Sequence, residues 1–230
     1  MSIPSIKMVI ELNNIYKTYP GVRSTSVLRG ITLSVDKGEF ISIMGESGSG
    51  KTTLLNIIGL MDSFDSGAYL FECNDVGRLS SADLACIRNK SIGFVFQSFN
   101  LIPHKSVVEN VALPLMYAGY RRKDAIRKAS EIMERLGIEF LSHKTPSIIS
   151  GGERQRVAVA RAIVMSPSLI LADEPTGALD TISAEILFSL LSDINKDFRT
   201  TIILVTHNRI IAERTQRILS IEDGIITKVQ

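Results

Sequence analysis

The stretch Gly45-Glu46-Ser47-Gly48-Ser49-Gly50-Lys51-Thr52 has the spacing G-x-x-x-x-G-K-[ST]. An apolar run at residues 40–44 precedes it with the length of a buried strand, and residues 53–60 after it have the Leu and Ile content of a helix. Glycines let successive backbone N–H groups point at one anion, and the positive end of the helix dipole adds to their field. A strand, a glycine-rich turn and a helix start form a phosphate cradle in this order, so the stretch predicts a nucleoside triphosphate site.

The side chains of this loop have separate expected roles. Lys51 is expected to reach the β- and γ-phosphates, and the hydroxyl of Thr52 to bind Mg²⁺. The other residues expected to line the cradle are Gly45, Glu46, Ser47, Gly48, Ser49, Gly50 and Thr53. A Gly/Ser-rich turn that matches the pattern by chance is the alternative, and the flanking strand and helix count against it.

The composition limits the class of protein. The chain has 230 residues, of which 45% are hydrophobic and 22% charged, ordinary values for a globular domain. A net charge of +2 argues against a nucleic-acid partner. Cys73 and Cys86 lack metal-ligand spacing, so free thiols in a reducing compartment are expected. There is no secretory-signal pattern and no segment of membrane-helix length, so a soluble chain is expected, with any membrane contact made through a partner.

The N-terminal part of the chain reads mainly as strands. Residues 6–19 suggest an edge strand and residues 27–35 a second strand, which together favour a small antiparallel β subdomain beside the phosphate loop. Further strands are expected at 66–71 and 91–96, with a short helix at 81–89 between them.

Residues 100–149 predict an inserted helical lobe, with helices at 107–113 and 123–136 and no strong strand. From residue 150 strands alternate with helices, which predicts a mainly parallel sheet with helices on its faces. The predicted segments are a helix to about 164, a strand at 168–172, a helix at 182–196, a strand at 201–206 and a helix near 208–215. The chain 1–230 is therefore predicted to be one α/β domain, in which residues 1–99 and 150–230 form the core and the β subdomain.

Two apolar strands end in polar side chains. Residues 169–172 run into Asp173 and Glu174, and residues 202–206 run into His207. Ligands of α/β sheets lie beyond the carboxyl ends of the strands, where the phosphate loop is also expected. Asp173 is therefore expected to hold Mg²⁺, Glu174 to act as general base for an attacking water, and His207 to contact the γ-phosphate or that water.

A second glycine-bearing turn, Ser150-Gly151-Gly152-Glu153, opens a predicted helix. Its hydroxyl, free N–H groups and helix start make it another candidate anion site. It also reads as a helix cap, with Ser150 as N-cap and Glu153 closing a capping box. Both interpretations can hold together, and a second phosphate-binding turn without a second lysine-bearing loop raises a question that one copy of the chain does not answer.

These segments together resemble an ABC transporter nucleotide-binding subunit. The phosphate loop, Gln97 after a strand, residues 150–155, Asp173-Glu174, residues 177–180 and His207 are similar, in order, to the Walker A, Q-loop, signature, Walker B, D-loop and H-loop of that family. The turn at 150–155 is the most specific of them, since general P-loop ATPases lack it. Residues 92–97, 100–103, 109–115 and 152–158 are similar to the MacB/LolD-type subgroup.

The resemblance implies the ABC ATPase fold and a mechanism. It implies a head-to-tail homodimer that sandwiches two ATP molecules with Mg²⁺, each phosphate loop facing Ser150, Gly151, Gly152 and Glu153 of the other copy. It further implies that Gln97 senses Mg²⁺ and the membrane partner, that Asp180 signals across the interface and that Tyr19 stacks on adenine, with Tyr16 as the nearby alternative. The helical lobe would dock an integral membrane permease at the cytoplasmic face of the membrane.

The resemblance leaves the physiological role open between two readings. One is a subunit that powers export or mechanotransmission of a lipoprotein, peptide or drug. The other is a regulator of the cell-division type that signals through a membrane partner without moving cargo. A DNA- or ribosome-associated ATPase is the weaker reading, because the chain lacks a coiled-coil insertion and a tandem cassette.

Overall fold

The structure is a computed structural model that describes residues 8–21 and 24–229. The first two residues of the strand predicted at 6–19 therefore lie outside the described residues. Within them the strands are β1 Met8–Tyr19, β2 Thr25–Asp36, β3 Phe40–Met44, β4 Ser66–Phe71, β5 Asn74–Asp75, β6 Ile92–Phe96, β7 Leu169–Asp173, β8 Thr201–Val205, β9 Arg217–Glu222 and β10 Ile225–Val229. The α-helices are α1 Lys51–Ile58, α2 Ser81–Ser91, α3 Val107–Tyr117, α4 Arg122–Arg135, α5 Gly151–Ile163, α6 Thr181–Phe198 and α7 Arg209–Ala212.

The strands form two sheets. The first is antiparallel, in the order β2-β1-β4-β5. The second has the order β10-β9-β3-β8-β7-β6, in which every neighbouring pair is parallel except the edge pair β9 and β10. An inserted set of helices, α3 and α4, completes the ABC ATPase fold class that the sequence predicts.

The parallel strands are apolar along their whole length because both faces of the sheet are covered. Ile41 and Leu171 face a core shared with α1 and the antiparallel sheet. Ile170 and Leu204 face a second core, under α5 and α6. The sheet therefore lies between two apolar layers, which fixes its strand ends in place.

The helical part has a core of its own. Apolar side chains of α3 and α4, among them Val111, Ala129 and Met133, pack with Val157 and Ala160 of α5. No strand lies between residues 100 and 149, as the sequence predicts. Because α5 belongs both to this core and to the core under the sheet, it joins the inserted helices to the strands.

Three local expectations are wrong. Strand β1 is not an edge strand, because it pairs with β2 on one side and with β4 on the other. Helix α3 does not stop before Pro114 but continues to Tyr117, since Leu115 beyond the proline is buried in the helical core. The helix predicted at 208–215 is only one turn, α7.

No helix of the described residues has the length and apolarity to cross a membrane.

Candidate active site

One row of the parallel sheet brings the candidate residues together. Ile43 of β3 pairs with Val205 of β8, Val205 with Asp173 of β7, and Asp173 with Phe96 of β6. These strands run in the same direction, so the segments that follow them leave from one edge of the sheet. Three residues that lie far apart in sequence, Gln97, Glu174 and His207, therefore reach the phosphate loop.

The loop between β3 and α1 depends on glycine at two positions. A Cβ at Gly45 would lie 2.2 Å from the carbonyl oxygen of Ile221, so only glycine fits against strand β9. Gly48 has a φ of +82°, which other residues rarely adopt, and a Cβ there would meet no atom within 4 Å. The loop backbone is thus tightly packed against β9 at Gly45 and has open space at Gly48, as a cradle for an anion requires.

Lys51 begins α1 and turns its side chain back over the loop. Its Nζ donates to the carbonyl oxygens of Gly45, at 2.9 Å, and Glu46, at 2.6 Å. Gly50 caps the helix without a side-chain hydrogen bond, so the first N–H groups of α1 have no side-chain acceptor there. The ammonium and the helix start both present positive charge at the loop.

A cleft of about 600 Å³ lies over this loop. Its lining residues are Val27, Gly45, Ser47, Gly48, Gly50, Lys51, Thr52, Thr53, Gln97, Asp173, Glu174, Val205 and His207. Two residues predicted to line the cradle, Glu46 and Ser49, are not among them. The other residues predicted for the phosphate loop share this cavity with Gln97, Asp173, Glu174 and His207.

The two carboxylates at the end of β7 have different surroundings. Burial raises the pKa of Asp173, the negative charge of Glu174 adds to that effect, and Lys51 opposes both. Glu174 has a φ of +46°, a region that costs non-glycine residues free energy, and its N–H donates to the Val205 carbonyl at 3.0 Å. This backbone conformation directs the Glu174 side chain away from β7 and towards the residues that follow β8.

His207 lies against that side chain. Its Nδ1 is 2.8 Å from Oε2 of Glu174, within ion-pair distance, although Oε2 has no partner with hydrogen-bond geometry. The Glu174 side chain is 20% exposed and the His207 side chain 75% exposed. A partly buried carboxylate is thus flanked by an imidazole that is open to solvent.

Gln97 connects the cleft to the segment after Glu174. A Cβ at Gly177 would lie 2.8 Å from Nε2 of Gln97, so the amide rests on the Gly177 backbone. This role of Gly177 is not predicted from the sequence, because it arises from a packing contact and no local pattern indicates it. The contact places Gln97 beside the turn that leads to Asp180.

The turn at Ser150 forms the capping box that the sequence predicts. Oγ of Ser150 accepts from the N–H of Glu153 at 3.2 Å, and Oε2 of Glu153 accepts from the N–H of Ser150 at 2.7 Å. The hydrogen bond from the Ser150 N–H lowers the pKa of Glu153, and burial opposes this effect without cancelling it. None of residues 150–153 is among those that line the cleft of the same chain.

Asp180 lies next to this turn. It caps α6, with Oδ1 accepting from the N–H of Ser183 at 2.9 Å, and this bond lowers the pKa of Asp180. A Cβ at Gly152 would lie 2.9 Å from Oγ of Ser183. The starts of α5 and α6 are therefore in contact, so Ser150 and Asp180 share one surface.

The two candidate tyrosines have different neighbours. Oη of Tyr16 lies against Gly30 of β2, where a Cβ would be 3.0 Å away. Oη of Tyr19 donates to Asp62 at 2.5 Å. Burial and then this bond raise the pKa of Tyr19, and the hydroxyl of Thr53, which lines the cleft, opposes them in part. Sequence reasoning missed Asp62, for which the sequence carries no signal.

The cleft fits a nucleoside triphosphate and Mg²⁺. Its open loop backbone and Lys51 suit phosphate oxygens, and the Thr52 hydroxyl and Asp173 carboxylate are oxygen ligands of the kind that Mg²⁺ takes together with phosphates. Among residues 8–21 and 24–229 no cluster of three His, Cys, Asp or Glu side chains could hold a metal alone. A metal here would therefore depend on the nucleotide for further ligands.

Comparison with known proteins agrees with this geometry. A family model described as ABC transporter matches residues 28–177. The chain is 47% identical over 221 residues to a macrolide export ATP-binding/permease protein MacB of Syntrophobacter fumaroxidans, covering 95% of this chain and 31% of that protein. It is 42% identical to a lipoprotein-releasing system ATP-binding protein LolD of Pseudoalteromonas translucida, covering 96% and 95%. The chain thus spans about a third of the first relative and nearly all of the second.

A solved structure shares the fold along almost the whole chain. A dimeric ATP-binding cassette in a post-hydrolysis state bound to ADP and Pi superposes with a TM-score of 0.88 at 39% identity, covering 96% of this chain and 97% of that one. The family match, the relatives and the cleft agree with one another. This chain belongs to the ABC transporter family and is an ATPase of the ABC type.

Proposed function

We propose that this chain hydrolyses ATP as a head-to-tail homodimer and thereby drives a membrane permease. The observation that carries the proposal is the row Ile43, Val205, Asp173 and Phe96, which assembles one half of an ATPase site. The Ser150 turn does not line the cleft of its own chain, which supports a second copy as the source of the other half. The dimeric cassette of the same fold supports this arrangement.

The proposed reaction assigns separate roles to the charged and polar residues at the phosphate loop and at the strand ends. Lys51 leaves the Gly45 and Glu46 carbonyls to neutralise the transferring phosphoryl group. Thr52, Asp173 and Gln97 would hold Mg²⁺, which would offset negative charge on the phosphate oxygens. Glu174 accepts a proton from the attacking water, and His207 positions the Glu174 carboxylate and the γ-phosphate. Ser150, Gly151, Gly152 and Glu153 of the second copy close over the phosphates, and Asp180 relays this closure.

A second cavity supports a permease partner. A groove of about 810 Å³ lies between α2, β6, α3 and α5, and its lining includes Phe94, Tyr117 and Arg161. Arg161 donates to the carbonyls of Phe99 and Asn100, which follow Gln97 closely. A helix of the permease seated in this groove would act on the Gln97 segment, and this contact would hold the chain at the cytoplasmic face of the membrane. The lobe at residues 100–149 forms one wall.

The names of the relatives favour export or mechanotransmission as the role. Macrolide export and lipoprotein release are stated for MacB and LolD. The residues described here are equally compatible with a regulator that signals through a membrane protein. Extraction of cargo from reconstituted membranes, measured with a candidate permease, separates the two roles.

The proposed chemistry is tested with Glu174→Gln. Removing the general base should lower ATP hydrolysis at least about 100-fold while ATP binding remains, so the variant should form a dimer only with ATP present. Steady-state hydrolysis and sedimentation velocity, with and without ATP, check both effects. Glu131→Gln, which alters an exposed carboxylate on α4, is the control and should behave as the unaltered chain. An active Glu174→Gln, or a variant that stays monomeric with ATP bound, contradicts the proposal.

A further inference from the structure

Three side chains near the end of β1 form a closed set of contacts beside the phosphate loop. Oδ2 of Asp62 accepts from Oη of Tyr19 at 2.5 Å, and Oδ1 of Asp62 lies 2.9 Å from Nζ of Lys17. The same Nζ lies over the Tyr19 ring, 5.0 Å from its centroid. Each of the three side chains thus touches the other two.

Burial is unequal within this set. Lys17 is only 7% exposed, whereas Tyr19 is 37% exposed. Since the ammonium lies over the ring and is buried, the ring turns its other face towards solvent. A buried lysine is unfavourable unless its charge is compensated, and Asp62 compensates it here. Lys17 and Tyr19 are two residues apart in β1, so they lie on the same side of the strand.

The hydrogen bonds fix Asp62 as well as the ring. Oδ1 of Asp62 also accepts from the N–H of Ser63 at 2.7 Å, so both oxygens are engaged. Burial raises the pKa of Asp62, but the bonds from Tyr19 and Lys17 outweigh it and the net pKa is lowered. Burial and then the bond to Asp62 raise the pKa of Tyr19. At neutral pH a phenol therefore donates to a carboxylate.

Tyr19 is not among the residues that line the nucleotide cleft, but its phenol lies beside one that does. Thr53, in the first turn of α1, lines the cleft and also acts on the Tyr19 phenol. An aromatic face beside a phosphate loop suits a nucleotide base, because bases stack on aromatic rings. Stacking needs a ring that is already held in place, since ordering a mobile side chain on binding costs free energy.

We propose that Lys17 and Asp62 are positioning residues that hold the Tyr19 ring as a platform for the base of the bound nucleotide. This inference rests on the proposed function, because it takes the cleft to bind a nucleotide, and it follows the stacking of Tyr19 on adenine that the family resemblance implies. Asp62 fixes the ring edge through Oη, and Lys17 covers the inner face. The outer face is left for the base.

The test compares a ligand that has a base with one that lacks it. Binding of ADP and of inorganic pyrophosphate, each with Mg²⁺, is measured by titration calorimetry for the unaltered chain and for Tyr19→Phe, Asp62→Asn and their combination. The net value of one hydrogen bond corresponds to a loss of roughly 3- to 10-fold in ADP affinity for each single change. The loss in the combined variant should be smaller than the two single losses added together, because both changes remove the bond between Tyr19 and Asp62. Pyrophosphate affinity should not change.

Two further variants complete the design. Tyr19→Ala should weaken ADP binding by at least about 10-fold, since it removes the whole platform. Asp75→Asn removes a half-buried carboxylate at the end of β5, which pairs with Arg78 and does not line the cleft, and should change neither affinity. Steady-state hydrolysis should show a raised KM for ATP with kcat within about 2-fold, a split that a loss of fold would not produce.

The outcomes separate this inference from the proposed function. Unchanged ADP affinity in Tyr19→Phe and Asp62→Asn, with pyrophosphate binding intact, overturns the positioning role and leaves the phosphate site standing. An equal loss for ADP and pyrophosphate also overturns it, because the residues would then act on the loop or on the fold. An unaltered chain that binds neither ligand overturns the proposed function itself. Tyr19→Phe keeps the Lys17–Asp62 ion pair, so it remains informative if Asp62→Asn is unstable.

Discussion

At the scale of single residues, the site contains groups that are unfavourable for the fold. Asp173 and Glu174 place two carboxylates side by side at the end of β7, and Glu174 has a strained backbone. Burial and the charge of Glu174 raise the pKa of Asp173. Functional sites often carry such a cost, because their charges are arranged for a ligand and not for the free protein.

We therefore expect Asp173→Asn to stabilise the free protein. A raised pKa in the folded state means that the stability of the free protein falls as pH rises above the ordinary Asp range. Removing the charge should raise the Tm at neutral pH by about 2 °C, and the gain should vanish at acidic pH, where Asp173 is protonated in both states. Differential scanning calorimetry across this pH range measures it.

Bound Mg²⁺ and ADP should reverse the order of stability of the unaltered chain and Asp173→Asn. With Mg²⁺ and ADP the unaltered chain should become the more stable one, because binding stabilises the folded state and the variant lacks a metal ligand. Asp193→Asn, at an exposed position on α6, is the control and should change neither value. A variant whose Tm rises equally with and without Mg²⁺ and ADP would show that Asp173 is not a ligand.

At the scale of elements, one motif occurs at three helix starts. Ser80, Ser106 and Ser150 each cap a helix and form a capping box with an acidic residue three positions later. The local chemistry of the three caps is the same. Only the cap of α5 is proposed to contact nucleotide as well, in the second copy of the chain.

These caps allow structural and functional effects to be separated. Replacing any of the three serines by Ala should cost about 1 kcal/mol of the free energy of unfolding, because an N-cap hydrogen bond is lost. Ser150→Ala should also lower ATP hydrolysis about 10-fold, whereas Ser80→Ala and Ser106→Ala should leave it nearly unchanged. Urea unfolding and steady-state hydrolysis provide the two measurements. Equal hydrolysis in all three variants would mean that the Ser150 turn is only a cap.

At the scale of the whole molecule, the cleft and the groove lie on either side of the Gln97 segment. The cleft contains Gln97 itself, and the groove contains Asn100, three residues later. The Tyr117 side chain at the groove is 78% exposed. A permease seated in the groove would thus contact the segment at residues 97–100, which also lines the nucleotide cleft through Gln97.

Tyr117→Glu should uncouple the subunit from its permease. Replacing this exposed aromatic ring by a carboxylate should weaken the complex at least about 10-fold, as for a central interface aromatic, while hydrolysis by the isolated chain stays unchanged. Stimulation of hydrolysis by the reconstituted permease is the readout. Phe140→Glu, at a 58% exposed aromatic outside the groove, is the control. Full stimulation of Tyr117→Glu would rule out the groove as the docking site.

Much of this architecture is predictable from local patterns. The phosphate loop, the strands that end at Asp173 and Val205, the inserted helices and the Ser150 capping box all follow from spacing and periodicity over a few residues. These features are local because a strand, a turn and a cap are each set by neighbours in sequence. The comparisons with known proteins confirm the fold class and the family that these patterns predict.

Other features depend on contacts between distant segments. The inner position of β1, the close approach of Ile221 to Gly45, the Gln97–Gly177 contact and the Asp62–Tyr19 bond join residues that lie 43 or more positions apart. No periodicity encodes such pairs, because they arise when packed sheets and helices bring separate segments together. The chemistry of the site could therefore be predicted from its motifs, while the residues that hold Tyr19 and Gln97 in place emerged only from the packed fold.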